Sequence, residues 1–395
     1  MISAAFIDSL FSSTLNSQAQ YDSLANNSLS SGIDLYQKGD YAGAVKQFRA
    51  SIGLSPFTDN SASAYNYMAM AYQKMDKAED AVKTYREAIS VYPTRDSFHL
   101  SLGDVYLQTD RTTEAEKEYT AAVRLNPTSA ENRYSLGQMY LDSGRYSEAE
   151  VQFRQVTELS PNSASGYYGL GQVFRKSGNY ADAIAQLNRA LAVNKKFDSA
   201  VGELGYTFAD MGEMDKAGEQ ASILAAKRST LAAELLGYIY ETSAPKFVLV
   251  YSPGGFNASL GAGTAVSNMN TALASASAKK IFTMRFGFSK EMDIASVQNP
   301  FNWEISRSTG AQVGGAYNWG LKIPDTEVSI SAVPISAIYD EKTSSADVTF
   351  TIAQKASADG TIDPSHIMFR FSGMDAYGKA MDTTADQYSG FSKIV

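Results

Sequence analysis

His99 and His366 are the only imidazoles in the 395-residue chain, and it has no cysteine. Histidine is the side chain best suited to proton transfer near neutrality, so two of them far apart in sequence leave little material for general acid–base work. Without cysteine there is no thiolate nucleophile, no disulfide and no sulfur-ligated metal. Asp340 with Glu341, and Asp375 near Asp382, could offer oxygen ligands to a hard cation, but no EF-hand spacing surrounds them and turn carboxylates are the expectation. "SPGGFNASLGAG" is glycine-rich but lacks the following Lys-Ser or Lys-Thr of a phosphate cradle, so it reads as a turn or linker. Asn26 and Asn257 begin N-x-S triplets that matter only where a glycosylation system meets the chain. No residue is assigned a catalytic, cofactor-binding or metal-ligating role. The expectation is a protein that is not an enzyme and carries no cofactor.

The totals narrow the partners. A net charge of −8 disfavours nucleic acid, which needs a basic face. No stretch of about 18 apolar residues is present to span a membrane as a helix.

What could position a binding surface is a repeat. Ala81, Ala115, Ala149, Ala183 and Ala217 stand 34 residues apart; Gly103, Gly137, Gly171 and Gly205, each preceded by Leu, keep the same step, as do Pro93, Pro127 and Pro161. In "SLGQMYLDSGRYSEAEVQFRQVTELSP", Leu136, Gly137 and Tyr140 share one helix face. Gly144 marks a turn, and Ala149 with Phe153 recur at i+4 on a second helix that Pro161 ends. Such a helix hairpin cannot bury its apolar face alone and must stack on neighbours. Six units are read, at 25–58, 62–95, 96–129, 130–163, 164–197 and 198–230. "FTDNSAS" forms a longer loop after the first, and "TLAAELLGYIYETSA" a lone covering helix after the last. The sixth carries Ala221 where an aromatic is usual.

The Leu-Gly, Tyr, Ala, aromatic and Pro positions resemble the tetratricopeptide repeat family. The resemblance implies a right-handed α-solenoid whose first helices line a groove. Carried onto this sequence, the groove positions are Asn66, Met70, Asp104, Tyr134, Gln138, Tyr168, Gln172 and Tyr206. A ladder of Tyr and Gln suits an extended peptide, a sugar chain or another subunit. Leu100 and Asp104 stand where some relatives carry the basic residues that clamp a C-terminal carboxylate, which argues against that use. His99 falls on a packing-aromatic position of the same pattern.

Beyond Pro245 the pattern alternates. "FVLVYS", "KKIFTMRFGF", "FNWEIS", "EVSISAVPI", "ADVTFTI" and "HIMFRFSG" read as strands, with Phe282, Met284, Phe286 and Phe288 on one side. His366, after Asp363-Pro364 at a strand start, is expected in a turn or at the surface. "FTMRFGFSKEMDIASVQNPFNWEIS", "AIYDEKTSSADVTFTI" and "FSGMDAYGKAMD" resemble bacterial Ig-like domains of surface proteins, implying an antiparallel β-sandwich.

The expected organisation is α + β and multidomain: an arm or tail at 1–24, a solenoid with its capping helix at 25–244, a Gly/Ser-rich linker or extra hairpin at 245–278, and an Ig-like sandwich at 279–395. Within "MISAAFIDSLFSSTLNSQAQ", Ile2, Phe6 and Leu10 recur at i+4, no Lys or Arg precedes Lys38, and Asp8 interrupts the apolar run. That is unlike a Sec signal. A mobile tail, an uncleaved export signal and an arm inserting into a neighbouring subunit stay open. The functional expectation is a non-enzymatic structural protein of the cell surface or exterior, exported by a non-Sec route and assembling with itself or with protein or glycan partners. The alternative is a cytoplasmic adaptor or export-associated scaffold.

Overall fold

The computed structural model describes residues 4–310, 315–391 and 393–394, and in the first helix the side chains from Ser17 onward. Six helix pairs come first: α1 (Ala4–Gln37) and α2 (Tyr41–Leu54), α3 (Asp59–Lys74) and α4 (Ala78–Val91), α5 (Asp96–Gln108) and α6 (Thr112–Leu125). Then follow α7 (Ala130–Asp142) and α8 (Tyr146–Leu159), α9 (Ala164–Lys176) and α10 (Tyr180–Val193), α11 (Asp198–Asp210) and α12 (Met214–Ala226). A single α13 (Leu231–Thr242) packs on α12. Each turn inside the second to sixth pairs needs one left-handed residue, and Asp76, Asp110, Gly144, Gly178 and Gly212 supply it at the same position of each repeat.

Helix approach explains the repeated small residues. Ala81, Ala115, Ala149 and Ala183 are fully buried, and one turn after the last three Tyr119, Phe153 and Leu187 fill the gaps beside Gly103, Gly137 and Gly171. A Cβ on Gly137 would lie 3.0 Å from the Phe153 ring, and one on Gly169, in the next repeat, 2.5 Å from it. Phe153 therefore joins two repeats. A second link runs along the hairpin turns. Arg111 lies over Tyr106 and bonds to Glu114 and back to Glu79; Arg145 lies over Tyr140 and bonds to Glu148 and back to Glu116. At the same position of the fifth repeat stands Asn179, which bonds only to Asp182 of its own hairpin.

Two compact units are present, residues 1–207 and 208–395, and their border falls inside α11. The expected division after residue 244 is therefore displaced: α12 and α13 group with the sheets. Lys290 is the reason on the α13 side. Its Nζ donates to the carbonyls of Tyr240 and, at 2.9 Å, Ser243, capping the end of α13. It sits 2.7 Å from Asp375 Oδ2, in a charge contact rather than an aligned hydrogen bond, with both side chains at 1% exposure or less.

The second unit continues with β1 (Phe247–Tyr251), β2 (Thr264–Ala265), α14 (Val266–Met269), β3 (Lys279–Phe288), α15 (Ile294–Gln298) and β4 (Trp303–Arg307). After these come β5 (Ser336–Asp340), β6 (Ser345–Ala353), β7 (Thr361–Ile362), β8 (Ile367–Phe371), β9 (Gln387–Ser389) and β10 (Lys393–Ile394). Two four-stranded antiparallel sheets form, in the orders β1-β3-β6-β5 and β10-β9-β8-β4, with β2-β7 as a small third. The inward rows of the two larger sheets meet through aromatic pairs: Phe286 with Trp303 at 5.0 Å, Phe350 with Phe369 at 5.3 Å, Phe288 with Phe371 at 5.5 Å.

Four expectations change. Residues 245–278 are neither linker nor local hairpin, since β1 ladders with β3 and Phe256, Val266, Met269 and Leu273 are core. "EVSISAVPI" is not a strand. Its backbone bonds in turn to Thr361, Ile352 and Ile305, so no single neighbour can ladder with it, and the strand is Ser336–Asp340. "FTDNSAS" is no loop, because Thr58 caps α3 and the extra residues lengthen that helix to 16 residues against 13 in α5 and α7. Residues 4–24 are continuous with the first repeat as α1, without a break at 24.

Candidate functional site

Consecutive first helices, α1 with α3, α5 with α7 and α7 with α9, pack directly on one another. One face of each carries the residues at the repeating groove positions. Tyr134 on α7 leans on Phe153, ring centroids 5.4 Å apart, and Tyr168 on α9 leans on Phe197 at 4.9 Å. Burial, then the nearby Asp142 charge, raises the Tyr134 phenol above its ordinary value; burial, then Glu203, does the same for Tyr168. Both hydroxyls stay protonated and able to donate.

Gln138 donates to Asp142 at 2.9 Å, and Gln172 donates to the Tyr168 hydroxyl at 3.1 Å. These amides border a recess of about 310 Å³ between the fourth and fifth repeats, completed by Leu141, Asp142, Tyr146 and Lys176. Gln172 Oε1 is buried with no hydrogen-bond donor. Tyr206, by contrast, lies beneath the Arg175 guanidinium at 5.5 Å, and Arg175 pairs with the buried Glu203.

The structure thus brings together Tyr134, Gln138, Tyr168, Gln172 and Tyr206. Asp104, on α5, is exposed and accepts from Tyr119 at 2.6 Å. Asn66 and Met70 stand on α3, two hairpins away; Asn66 Oδ1 is also buried and unmatched, and Met70 is exposed. Sequence reading missed Asp142, Lys176, Arg175 and Glu203. The first two were within reach, being one helical turn beyond Gln138 and Gln172 on the same face.

The remaining candidates separate. His99 is half-buried and bonds Glu118 at 2.6 Å. His366 is fully buried, not superficial, because Trp319 and Phe391 enclose its ring. Its Nδ1 meets both Asp363 and Ser365, so the serine is not on the opposite nitrogen that a Ser-His-Asp relay uses. Asp340 and Asp382 accept from their own turns, and Asp375 faces Lys290. Among the described residues no three His, Asp or Glu side chains are placed to share a metal ion. No helix among them is long and apolar enough to cross a membrane. Asn26 lies within α1, and Asn257 is exposed in a turn. Ile2 is outside the described residues; Phe6 and Leu10 fall within α1, their side chains outside the description.

This is a helix-hairpin repeat array. The chain carries tetratricopeptide repeats: the family model of that description matches residues 68–130, 134–199 and 168–232. Among solved structures it is similar to a tetratricopeptide repeat protein from Parabacteroides merdae, at 18% identity and TM-score 0.48, covering 55% of this chain and 86% of that one. Pseudomonas aeruginosa PilF gives 17%, 0.44, 55% and 99%, and PilW, a type IV pilus biogenesis factor, 16%, 0.45, 54% and 98%, in the same order. No curated protein matches the chain.

Proposed function

We propose that the protein is a non-enzymatic scaffold that holds an extended polypeptide along the first-helix face, in an assembly at the cell surface or outside the cell. The observation that carries this is the Gln138 and Gln172 amides lining one recess between the fourth and fifth repeats, with Gln172 bonded to the Tyr168 hydroxyl. An extended peptide offers alternating N–H and C=O groups, so it can meet these amides while its side chains cover the Tyr134 and Tyr168 rings. The paired antiparallel sheets are read as an Ig-like domain of the surface-protein type, which supports the location.

A second copy of the chain is one partner. Ser17, Gln18, Ala19 and Gln20 are all exposed on α1, a helix of 34 residues, and offer a polar helical surface to a neighbouring copy.

Tiled peptides, including the protein's own sequence, titrated by fluorescence polarisation test the groove. Tyr134→Ala with Tyr168→Ala is expected to weaken the best binder by about tenfold or more; unchanged affinity would refute the site. Sedimentation velocity tests assembly: growth with concentration is expected, and its loss on deleting residues 1–20. A monomer at every concentration removes self-association. Recovery wholly in the cytosolic fraction replaces the surface reading with an intracellular adaptor.

A further inference from the structure

In the sheet unit a second recess, of about 310 Å³, has a lining that packing does not explain. By strand alternation Trp303, Ile305 and Arg307 share the inward side of β4, and the first two are buried. Arg307, paired across the ladder with Ile367, therefore places a guanidinium at the open end of the space between sheets. Glu327 approaches from the other wall with only 7% of its side chain exposed, and its carboxylate accepts from the Tyr317 hydroxyl. Arg307 Nη2 stands 3.8 Å from Glu327 Oε1, too far for a hydrogen bond, and its Cζ lies 5.2 Å from the Tyr317 ring centre. The guanidinium turns toward the Tyr317 hydroxyl and has further N–H donors for a ligand.

We propose that this recess binds a neutral polyhydroxyl ligand, a single sugar residue of a glycan, with one hydroxyl bridging Arg307 and Glu327. A hydroxyl can accept from the guanidinium and donate to the carboxylate at once, which neither a simple anion nor a simple cation can do. Arg307 repels a cation and Glu327 an anion, so the pair selects a neutral molecule. Ile305, Val328 and Ile367 form an apolar base for the C–H face of a sugar ring. The volume is at the lower end of the roughly 300–1,000 Å³ of small-molecule sites, which fits one residue rather than a long chain. The proposal is independent of the peptide groove.

The competing explanation is that β4, an edge strand of its sheet, uses an inward charge to block pairing with other chains. Saturation-transfer NMR on the full chain, with the methyl glycosides of glucose, galactose, mannose, fucose and N-acetylglucosamine at millimolar concentration, separates the two. Transfer to at least one glycoside is expected. Its affinity should fall about tenfold in Glu327→Gln, which keeps the acceptor for Tyr317, and in Arg307→Met, while Tyr134→Ala leaves it unchanged. Trp303 fluorescence checks that both variants fold. No transfer to any glycoside, or affinity indifferent to both substitutions, overturns the proposal; aggregation of Arg307→Met alongside absent transfer assigns the residue to edge protection.

Discussion

Replacing Lys290 by alanine should lower the unfolding free energy of the second unit by about 3–5 kcal/mol, because it leaves Asp375 buried and uncompensated. The loss has a second part. Four groups surround one ammonium: the Asp375 carboxylate and the carbonyls of Tyr240, Glu241 and Ser243 at the end of α13. Tyr240 and Tyr377 flank the same charge at 4.9 and 5.1 Å, so the variant also removes a cation–π contact on each side. The measurement is direct, since both tryptophans, Trp303 and Trp319, lie in this unit. Urea unfolding followed by tryptophan fluorescence should show the early transition, while the helical signal from residues 1–207 keeps its midpoint. A loss below about 1 kcal/mol would mean that water replaces the ammonium, and the joint would then be ordinary packing.

Phe153→Ala is the corresponding change in the repeats. The ring is fully buried, occupies the space beside Gly137 and Gly169 in successive hairpins, and backs Tyr134. Truncating a buried Phe costs about 3–5 kcal/mol through lost transfer energy and the cavity left behind. The glycine-lined walls have no side chains to collapse into the gap, which places the expectation at the upper end. Urea unfolding followed by far-UV circular dichroism checks the stability. Peptide titration at a temperature where the variant is still folded should show weaker binding, because Tyr134 loses its support. Phe153→Leu should recover most of both. Binding that survives Phe153→Ala intact would detach Tyr134 from the site.

The repeats were legible because their determinants are local: a hairpin's Leu-Gly, Ala and aromatic positions meet within one unit, and the 34-residue step carries them to the next. The groove ladder followed from the same step. Residues 245–278 were not legible, since Ala, Ser and Gly crowd the composition while Phe247, Phe256, Val266, Met269 and Leu273 anchor it to distant strands. "EVSISAVPI" alternates as a strand does, but its partners are three separate segments. Lys290 is the sharpest case. Nothing in "FSKEMD" marks its side chain as buried, and only the carbonyls of a helix some 50 residues earlier, with Asp375, make it so.

The Arg111 and Arg145 links give the array an uneven stiffness. Each ties a hairpin turn to the preceding repeat through a partly exposed ion pair and an aromatic face, so the second to fourth repeats resist bending together. Asn179 is too short to reach back, and the brace ends there. The ionic brace is therefore confined to the second, third and fourth repeats, while the fourth and fifth are joined by the Phe153 ring beside Gly137 and Gly169. Salt, which screens exposed pairs over about 8–10 Å, loosens the braced repeats and leaves the apolar joint unchanged. A tethered partner would feel that change as altered reach, with no contact in the groove rearranged.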